Sequence, residues 1–257
     1  MHPSPNSKRG LQLAVVALAI IAAVAYSTRG RKPAPVNTAA AIDKLIRPPA
    51  SVSRKDGVAA AILIDTSGSM KDTVADSGGQ RLAKYDIARR CLLKIVRQTE
   101  GFAKEQPDQP LLVGIYEFSA REGKNPHFRN IVPLAPPDAA AAENVLRNLP
   151  LGNGTPIGDT IVQAKRDLDA TGLSRLHILV ITDGENNLGY DPGSVVQAIA
   201  RLPEDQRPGV YFVAFDVAAA VFKTVKDAGA LVLSATNEKE LQEQLDFIMG
   251  NKILLEK

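Results

Sequence analysis

Hydrophobic residues form short unbroken runs that recur along most of the chain. A continuous apolar run of this length is typical of a strand that is buried on both faces of a sheet. Buried strands are predicted at 58–65, 111–118, 177–183, 210–217 and 230–235, with a shorter edge strand at 128–134.

Between these runs, apolar side chains recur every three or four residues, which is the spacing of an amphipathic helix. Helices are predicted at 80–104, 139–149, 158–170, 193–202, 218–228 and 238–249. The alternation predicts an α/β fold, with a doubly wound, mainly parallel central sheet flanked by helices on both faces. Ligands of such sheets bind at the carboxyl ends of the strands, where the strand order reverses.

A different apolar pattern lies near the start of the chain. Residues 11–26 contain only one strongly polar side chain, Gln12, and basic residues flank the segment on both sides. We predict a transmembrane anchor at 11–27, after a short basic tail at 1–10. A signal peptide cleaved near Ala25 is the alternative, but the bases directly after the apolar run favour the anchor.

The anchor divides the chain into a membrane part and a folded part. Residues 28–57 are rich in Pro and Ala and predict an extended tether, with a short helix near 39–46. The folded domain is expected at 58–250, followed by a short tail at 251–257. We place this domain outside the cytoplasm, because a short tail before a first apolar helix usually stays inside; a cytoplasmic domain is the alternative.

The net charge of +3 belongs to the N-terminal segment and not to the folded part. Most of the excess bases lie in residues 1–50, and the rest of the chain has a slight excess of acids. There is no basic patch interleaved with aromatic residues. Nucleic acid is therefore not expected as a partner.

Polar side chains lie where predicted strands end or a predicted helix begins. Asp65, Ser67 and Ser69 come directly after, or at the end of, the first buried strand. Thr155 lies in a glycine-rich loop that opens a helix, and Asp183 ends another buried strand. These segments should meet at one edge of the sheet. Oxygen-only ligands suit a hard cation, Mg²⁺ first, with Mn²⁺ or Ca²⁺ as alternatives.

These residues match the pattern of a known family. From about Val58 to about Gly250, the chain resembles the von Willebrand factor type A (vWA) domain, which has a Rossmann-like fold. The three polar segments resemble its metal-ion-dependent adhesion site (MIDAS), in which Asp-x-Ser-x-Ser is followed by a Thr and an Asp. The resemblance implies that the three hydroxyls touch the metal, and that Asp65 and Asp183 act mostly through waters or hydroxyls.

The expected function is metal-dependent binding of a partner protein at or near a membrane. Neutral hydroxyl ligands leave much of the ion's charge uncompensated, so the ion should attract a Glu or Asp carboxylate of the partner. The alternative is a structural subunit of a membrane assembly complex, for example one that works with an AAA+ ATPase. An enzyme such as a metal-dependent hydrolase is disfavoured, because we find no nucleophile–base pairing, P-loop or paired metal carboxylates.

Other polar residues near the predicted site have plainer interpretations. Asp159 suits the first turn of a helix, where a negative charge is stabilised by the helix dipole. Asp216 is interpreted as a loop or cap residue. Residues 185–187 are interpreted as a solvated loop, with a role in partner choice as the alternative.

The full chain should fractionate with membranes and remain there after carbonate or high-salt extraction, because the segment 11–27 would span the bilayer. Immunoblots of the membrane and soluble fractions measure this, and a reporter fused after Lys257 gives the orientation. Recovery of a soluble chain that begins at Tyr26 would show cleavage and contradict the anchor.

Overall fold

The computed structural model describes residues 39–48, 54–121 and 125–255 of the chain. The strands of this part are β1 (Lys55–Asp65), β2 (Thr73–Ala75), β3 (Arg81–Ala83), β4 (Leu111–Arg121), β5 (Asn125–Ala135), β6 (Leu173–Thr182), β7 (Gly209–Phe215) and β8 (Leu231–Ala235). Six of them form one sheet in the order β5-β4-β1-β6-β7-β8. Neighbouring strands are parallel except for β4 and β5, so the predicted mainly parallel sheet is confirmed.

Helices cover both faces of this sheet, as predicted. They are α1 (Ala39–Ile46), α2 (Lys84–Glu105), α3 (Ala139–Leu146), α4 (Ile157–Ala170), α5 (Pro192–Ala200), α6 (Lys223–Asp227) and α7 (Glu238–Ile248). Helices α2, α3 and α7 share one apolar cluster with the sheet, and helices α1, α4, α5 and α6 share the other. Short 3-10 turns lie at Gly68–Lys71, Glu204–Gln206 and Ala219–Phe222, and a π-helical segment, Met249–Leu254, follows α7.

The central strand β1 shows why the sequence has unbroken apolar runs. Alternate side chains of a strand point to opposite faces of the sheet. Ile62 and Ile64 belong to the cluster beneath α2 and α7, whereas Ala61 and Leu63 belong to the cluster beneath α4 and α5. Because helices cover both faces, both sets of side chains are buried. Burial of each large aliphatic side chain contributes about 1.5–3 kcal/mol.

The predicted bounds differ from the structure by a few residues at most elements, and two of the differences change the kind of element that forms. Helix α2 begins at Lys84 and not at residue 80, because β3 pairs with β2 in an antiparallel hairpin just before the helix. The single helix predicted at 218–228 is divided into a 3-10 turn and the short helix α6. Both differences involve short backbone pairings that helical spacing alone does not reveal. Strand β5 lies at an edge of the sheet, as predicted.

Packed structure extends beyond the predicted bounds of the domain at both ends. Helix α1 falls within the predicted tether at 28–57, yet it buries Ile42 and Ile46 in the cluster with α4 and α5. After α7, the π-helical segment buries Met249 and Ile253. In the part of the chain that the structure describes, no helix is both long enough and apolar enough to span a membrane. The predicted anchor at 11–27 lies outside that part.

A buried ionic network joins the start of β1 to the end of α4. The Arg54 guanidinium donates to Asp169 Oδ1 at 3.0 Å, and the Lys165 ammonium donates to Asp169 Oδ2. Lys165 and Asp169 are both buried. Burial lowers the pKa of Lys165, although the hydrogen bond to Asp169 acts in the opposite direction. Asp169 is therefore the shared anion of two cations.

Replacement of Asp169 with Ala should lower the free energy of unfolding by about 3–5 kcal/mol, because it leaves buried charge without a partner. Urea denaturation of the wild type and Asp169→Ala measures this loss. Asp227→Ala is the matched control, because it breaks the exposed Lys223–Asp227 pair and should have little effect. Similar losses in the two variants would contradict a special role for the buried network.

Candidate metal centre

The candidate site lies at the carboxyl ends of β1 and β6, the two central strands. From β1 the chain continues to β4 on one side, whereas from β6 it continues to β7 on the other side. The strand order therefore reverses between β1 and β6, which is where parallel sheets bind ligands. Asp65 is the last residue of β1, and Asp183 follows the last residue of β6.

The Asp65 carboxylate is completely buried at this position. Its Oδ2 accepts a hydrogen bond from the Thr182 hydroxyl at 2.6 Å, and its Oδ1 accepts one from the Ser67 N–H at 2.7 Å. Burial raises the pKa of Asp65 to about 7, although the hydrogen bonds from Thr182 and Ser67 lower it. Among the described residues, no Lys, Arg or His forms an ion pair with this carboxylate. Its surroundings therefore suit an added cation.

The two serines after β1 present adjacent hydroxyls. Ser67 Oγ and Ser69 Oγ are 3.1 Å apart, and Ser69 Oγ donates to Asp183 Oδ1 at 2.8 Å. Ser69 is exposed, whereas the next residue, Met70, is fully buried in the apolar cluster beneath α2. The buried Met70 side chain thereby fixes the turn to the apolar core. The Ser69 hydroxyl consequently lies at the surface, with the buried Ser67 hydroxyl directly beside it, on a turn that is fixed to the core.

Thr155 comes to the same place because its loop is tied to the loop after β1. The Gly152 N–H donates to Thr66 O at 2.7 Å. A Cβ atom at Gly152 would lie 2.7 Å from Ala120 O, so only glycine permits this close approach. A Cβ atom at Gly184 would lie 3.8 Å from Thr155 Oγ1 and 3.9 Å from Ser69 Oγ, so both hydroxyls border the same space. The structure thus brings all five predicted site residues together.

Two further charged residues complete this cluster: Lys84, which the sequence pattern did not single out, and Asp216, to which it gave no role at the site. The buried Lys84 ammonium lies 3.1 Å from Asp183 Oδ2 and 2.8 Å from Asp216 Oδ2. Burial lowers the pKa of Lys84, but the contacts with Asp216 and Asp183 together outweigh burial and raise it. The position of Lys84 in the sequence could have indicated that it has acidic partners. A cation in the first turn of a helix opposes the helix dipole, so Lys84 requires acidic partners.

Asp216 lies in the bend directly after β7, as expected of a loop residue, but it also has a charged partner that the sequence did not reveal. Its carboxylate forms an ion pair with Lys84, which also contacts the predicted metal residue Asp183. Its φ of 54° is the one positive value among the described non-glycine residues. Asp tolerates this left-handed conformation better than most residues. The bend directs the side chain back towards Lys84.

The loop after β6 is fastened to the start of α4 and is not simply solvated. Asn187 Oδ1 accepts a hydrogen bond from the Thr155 N–H at 2.8 Å, and Asn186 Oδ1 accepts one from the Gly158 N–H at 3.3 Å. Asp159 lies in the first turn of α4, as predicted, and accepts from the Tyr190 N–H at 2.8 Å. The loop is therefore solvent-exposed at Asn187, as predicted, but both asparagine side chains also hold the backbone beside the Thr155 hydroxyl.

The chemistry of the donors fits a hard divalent cation. Ser67, Ser69 and Thr155 supply neutral hydroxyl oxygens, while Asp65 and Asp183 supply carboxylates beside them. Within residues 39–48, 54–121 and 125–255, no three or more His, Cys, Asp or Glu side chains are grouped so that they could hold a metal ion, at this site or elsewhere. Oxygen donors without sulfur or imidazole favour Mg²⁺, Mn²⁺ or Ca²⁺ over the softer transition metals.

The chain has the fold of vWA domains, although no family model matches its sequence. The vWF domain of the type V pili tip protein Mfa5 from Porphyromonas gingivalis matches with a TM-score of 0.53 and 14% identity, over 76% of this chain and 95% of that one. An aerotolerance-related membrane protein from Bacteroides fragilis matches with a TM-score of 0.54 and 19% identity, over 74% of this chain and 97% of that one. Such low identities show the fold alone.

One relative by sequence is the uncharacterized protein YwmD of Bacillus subtilis (strain 168). It is 26% identical over 165 residues, which are 61% of this chain and 68% of YwmD. Some matched structures are longer: this chain spans 62% of a PilB minor pilin variant from Streptococcus sanguinis, which covers 79% of this chain with a TM-score of 0.55 and 15% identity. The structural neighbours thus include pilus and membrane proteins.

The metal-free protein should lose stability as the pH rises from about 4 to about 7. The pKa of Asp65 is about 7 in the folded protein, so the folded state holds a proton there that the unfolded state releases near pH 4. The free energy of unfolding should therefore fall by up to roughly 4 kcal/mol across this range. Urea denaturation at pH 5 and pH 8 in EDTA measures the change.

Asp65→Asn provides the control for this pH dependence, because it removes the titrating group and keeps the side-chain shape. The variant should lose much less stability between pH 5 and pH 8 than the wild type. An equal loss in both proteins would mean that other groups are responsible.

Proposed function

We propose that this protein is a membrane-tethered binding module that uses a divalent cation, Mg²⁺ first, to bind a Glu or Asp carboxylate of a partner protein. The observation that carries this proposal is the arrangement of two adjacent serine hydroxyls between two carboxylates. Ser69 Oγ contacts both Ser67 Oγ and Asp183 Oδ1, while Asp65 accepts from the Ser67 N–H. The vWA fold supports the same class of function.

Within this proposal, Ser67, Ser69 and Thr155 would hold the ion through their hydroxyls. Asp65 and Asp183 would act behind them, orienting hydroxyls and waters. When bound, the ion supplies a concentrated positive charge that attracts a carboxylate. Because Ser69 is exposed, a side chain from another protein can reach this position.

The membrane part of the proposal rests on the sequence of residues 11–27 and agrees with the kinds of protein that share the fold. One neighbour is described as a membrane protein and another as a pilus tip protein. A single-pass anchor with the domain outside the cytoplasm would present the metal site to extracytoplasmic partners. Secretion after cleavage near Ala25 and a cytoplasmic domain are the alternatives.

Two other functions have less support. A structural subunit of a membrane assembly complex, including one that works with an AAA+ ATPase, would keep the fold but would not need the exposed hydroxyl of Ser69. A metal-dependent hydrolase would need a free general base. At this site, the described partners engage both carboxylates: Thr182 and Ser67 hold Asp65, and Lys84 and Ser69 hold Asp183.

The wild-type full chain in detergent should bind Mg²⁺ or Mn²⁺ weakly, and a short peptide with a single Glu should strengthen that binding. Ser67→Ala with Ser69→Ala should abolish both effects, because it removes two of the three hydroxyl ligands. Isothermal titration calorimetry measures both affinities. Ser194→Ala removes an exposed hydroxyl that donates only to Asp191, the N-cap residue of α5; it is the matched control and should behave as the wild type.

Identical titrations of the wild type and the double-serine variant would rule out the metal assignment. A pull-down from membranes, with and without EDTA, then separates binding from scaffolding. Metal-dependent recovery of a partner supports the binding module, whereas recovery that resists the chelator supports the structural subunit.

A further inference from the structure

The ion pair between Lys84 and Asp216 adds a charged layer behind the candidate metal centre. The Lys84 side chain is 7% exposed, and its ammonium contacts one oxygen each of Asp183 and Asp216. Asp216 is 41% exposed at the rim, with its backbone N–H donating to Ala235 O at 2.7 Å. Neither residue belongs to the five that would hold the ion. Their charges nevertheless act on the same small volume.

Lys84 also restricts what Asp183 can do. The Oδ2 atom of Asp183 accepts from the Lys84 ammonium at 3.1 Å, and its Oδ1 atom accepts from Ser69 Oγ at 2.8 Å. Both carboxylate oxygens are therefore engaged by protein donors. This arrangement keeps Asp183 behind the hydroxyl of Ser69.

Four charged residues, Asp65, Asp183, Asp216 and Lys84, form a cluster at the site, and their charges nearly offset those of a bound divalent cation. Above pH 7, where Asp65 is ionised, the three carboxylates of Asp65, Asp183 and Asp216 and the Lys84 ammonium give the cluster two net negative charges. A divalent cation would bring the net charge of this cluster to zero, so a partner's carboxylate would be attracted by direct contact with the ion and not by the charge of the site as a whole. Loss of the Lys84 charge would leave a net negative site around the ion. Loss of the Asp216 charge would leave a net positive one.

We propose that Lys84 and Asp216 together set the balance between metal affinity and carboxylate affinity at this site. Lys84 weakens the attraction for the metal and strengthens the attraction for the partner's carboxylate, while Asp216 has the opposite effect. Lys84 is in this sense a positioning and specificity-determining residue. The inference rests on the proposed function, since it concerns the same metal and the same carboxylate.

Three variants of the full chain test this balance by calorimetry with Mg²⁺, followed by a single-Glu peptide at saturating Mg²⁺. Lys84→Gln should bind Mg²⁺ at least about fivefold more tightly and the peptide at least about fivefold more weakly, because charges this close interact strongly in a partly buried site. Asp216→Asn should show the reverse. The double variant restores two net negative charges and should return both affinities close to the wild-type values.

Opposite shifts in the two affinities separate this proposal from simple structural damage, which would lower both. Lys94→Gln removes a cation from the same helix, where Lys94 lies 3.8 Å from the exposed Asp246, and should change neither affinity. Parallel losses in Lys84→Gln, no change in it, or a double variant worse than both single variants would overturn the charge balance. Absence of any Mg²⁺ binding by the wild type would instead overturn the proposed function.

Discussion

The complete burial of the Asp65 carboxylate is the constraint on which the candidate site depends. A buried carboxylate must be hydrogen-bonded, because an unpaired one carries a large desolvation cost. Here the Thr182 hydroxyl and the Ser67 N–H satisfy it, and these groups come from the ends of β6 and β1. The need to satisfy one acid thus holds together the two loops that form the switch point of the sheet.

Further bonds from neighbouring loops then fix the hydroxyls. Gly152 donates to the backbone of Thr66, and Asn187 accepts from Thr155, so the loops after β1 and β6 are both bound to the loop that precedes α4. The Lys84 ammonium donates to Oδ2 of Asp183, the carboxylate oxygen that Ser69 does not contact. A hydroxyl set held by backbone and side-chain contacts would lose little conformational freedom on binding the proposed ion. Such preorganisation lowers the entropic cost of binding and would therefore favour the proposed metal ion.

Hydrophobic periodicity predicted the sheet and helices well, because both faces of the central strands are covered. The unbroken run at 58–65 leaves no polar face, and β1 is buried from Gly57 to Asp65. The hydrophobic pattern did not predict the elements that form through short backbone hydrogen-bond pairings. The β2–β3 hairpin replaces the first turns of the predicted helix at 80–104, since its three-residue strands are too short for a periodic signal.

The five residues Asp65, Ser67, Ser69, Thr155 and Asp183 could be chosen from the sequence, because each lies next to a predicted strand end or helix start and parallel strands end at one edge. Their contacts could not, because they join residues far apart in the chain. Lys84 and Asp183 are 99 positions apart, and Lys84 meets Asp216 only across the edge of the sheet. Local patterns determine which elements form and which loops face one another. Only the packed tertiary structure decides which charges become neighbours, because that depends on side-chain burial and register across the sheet.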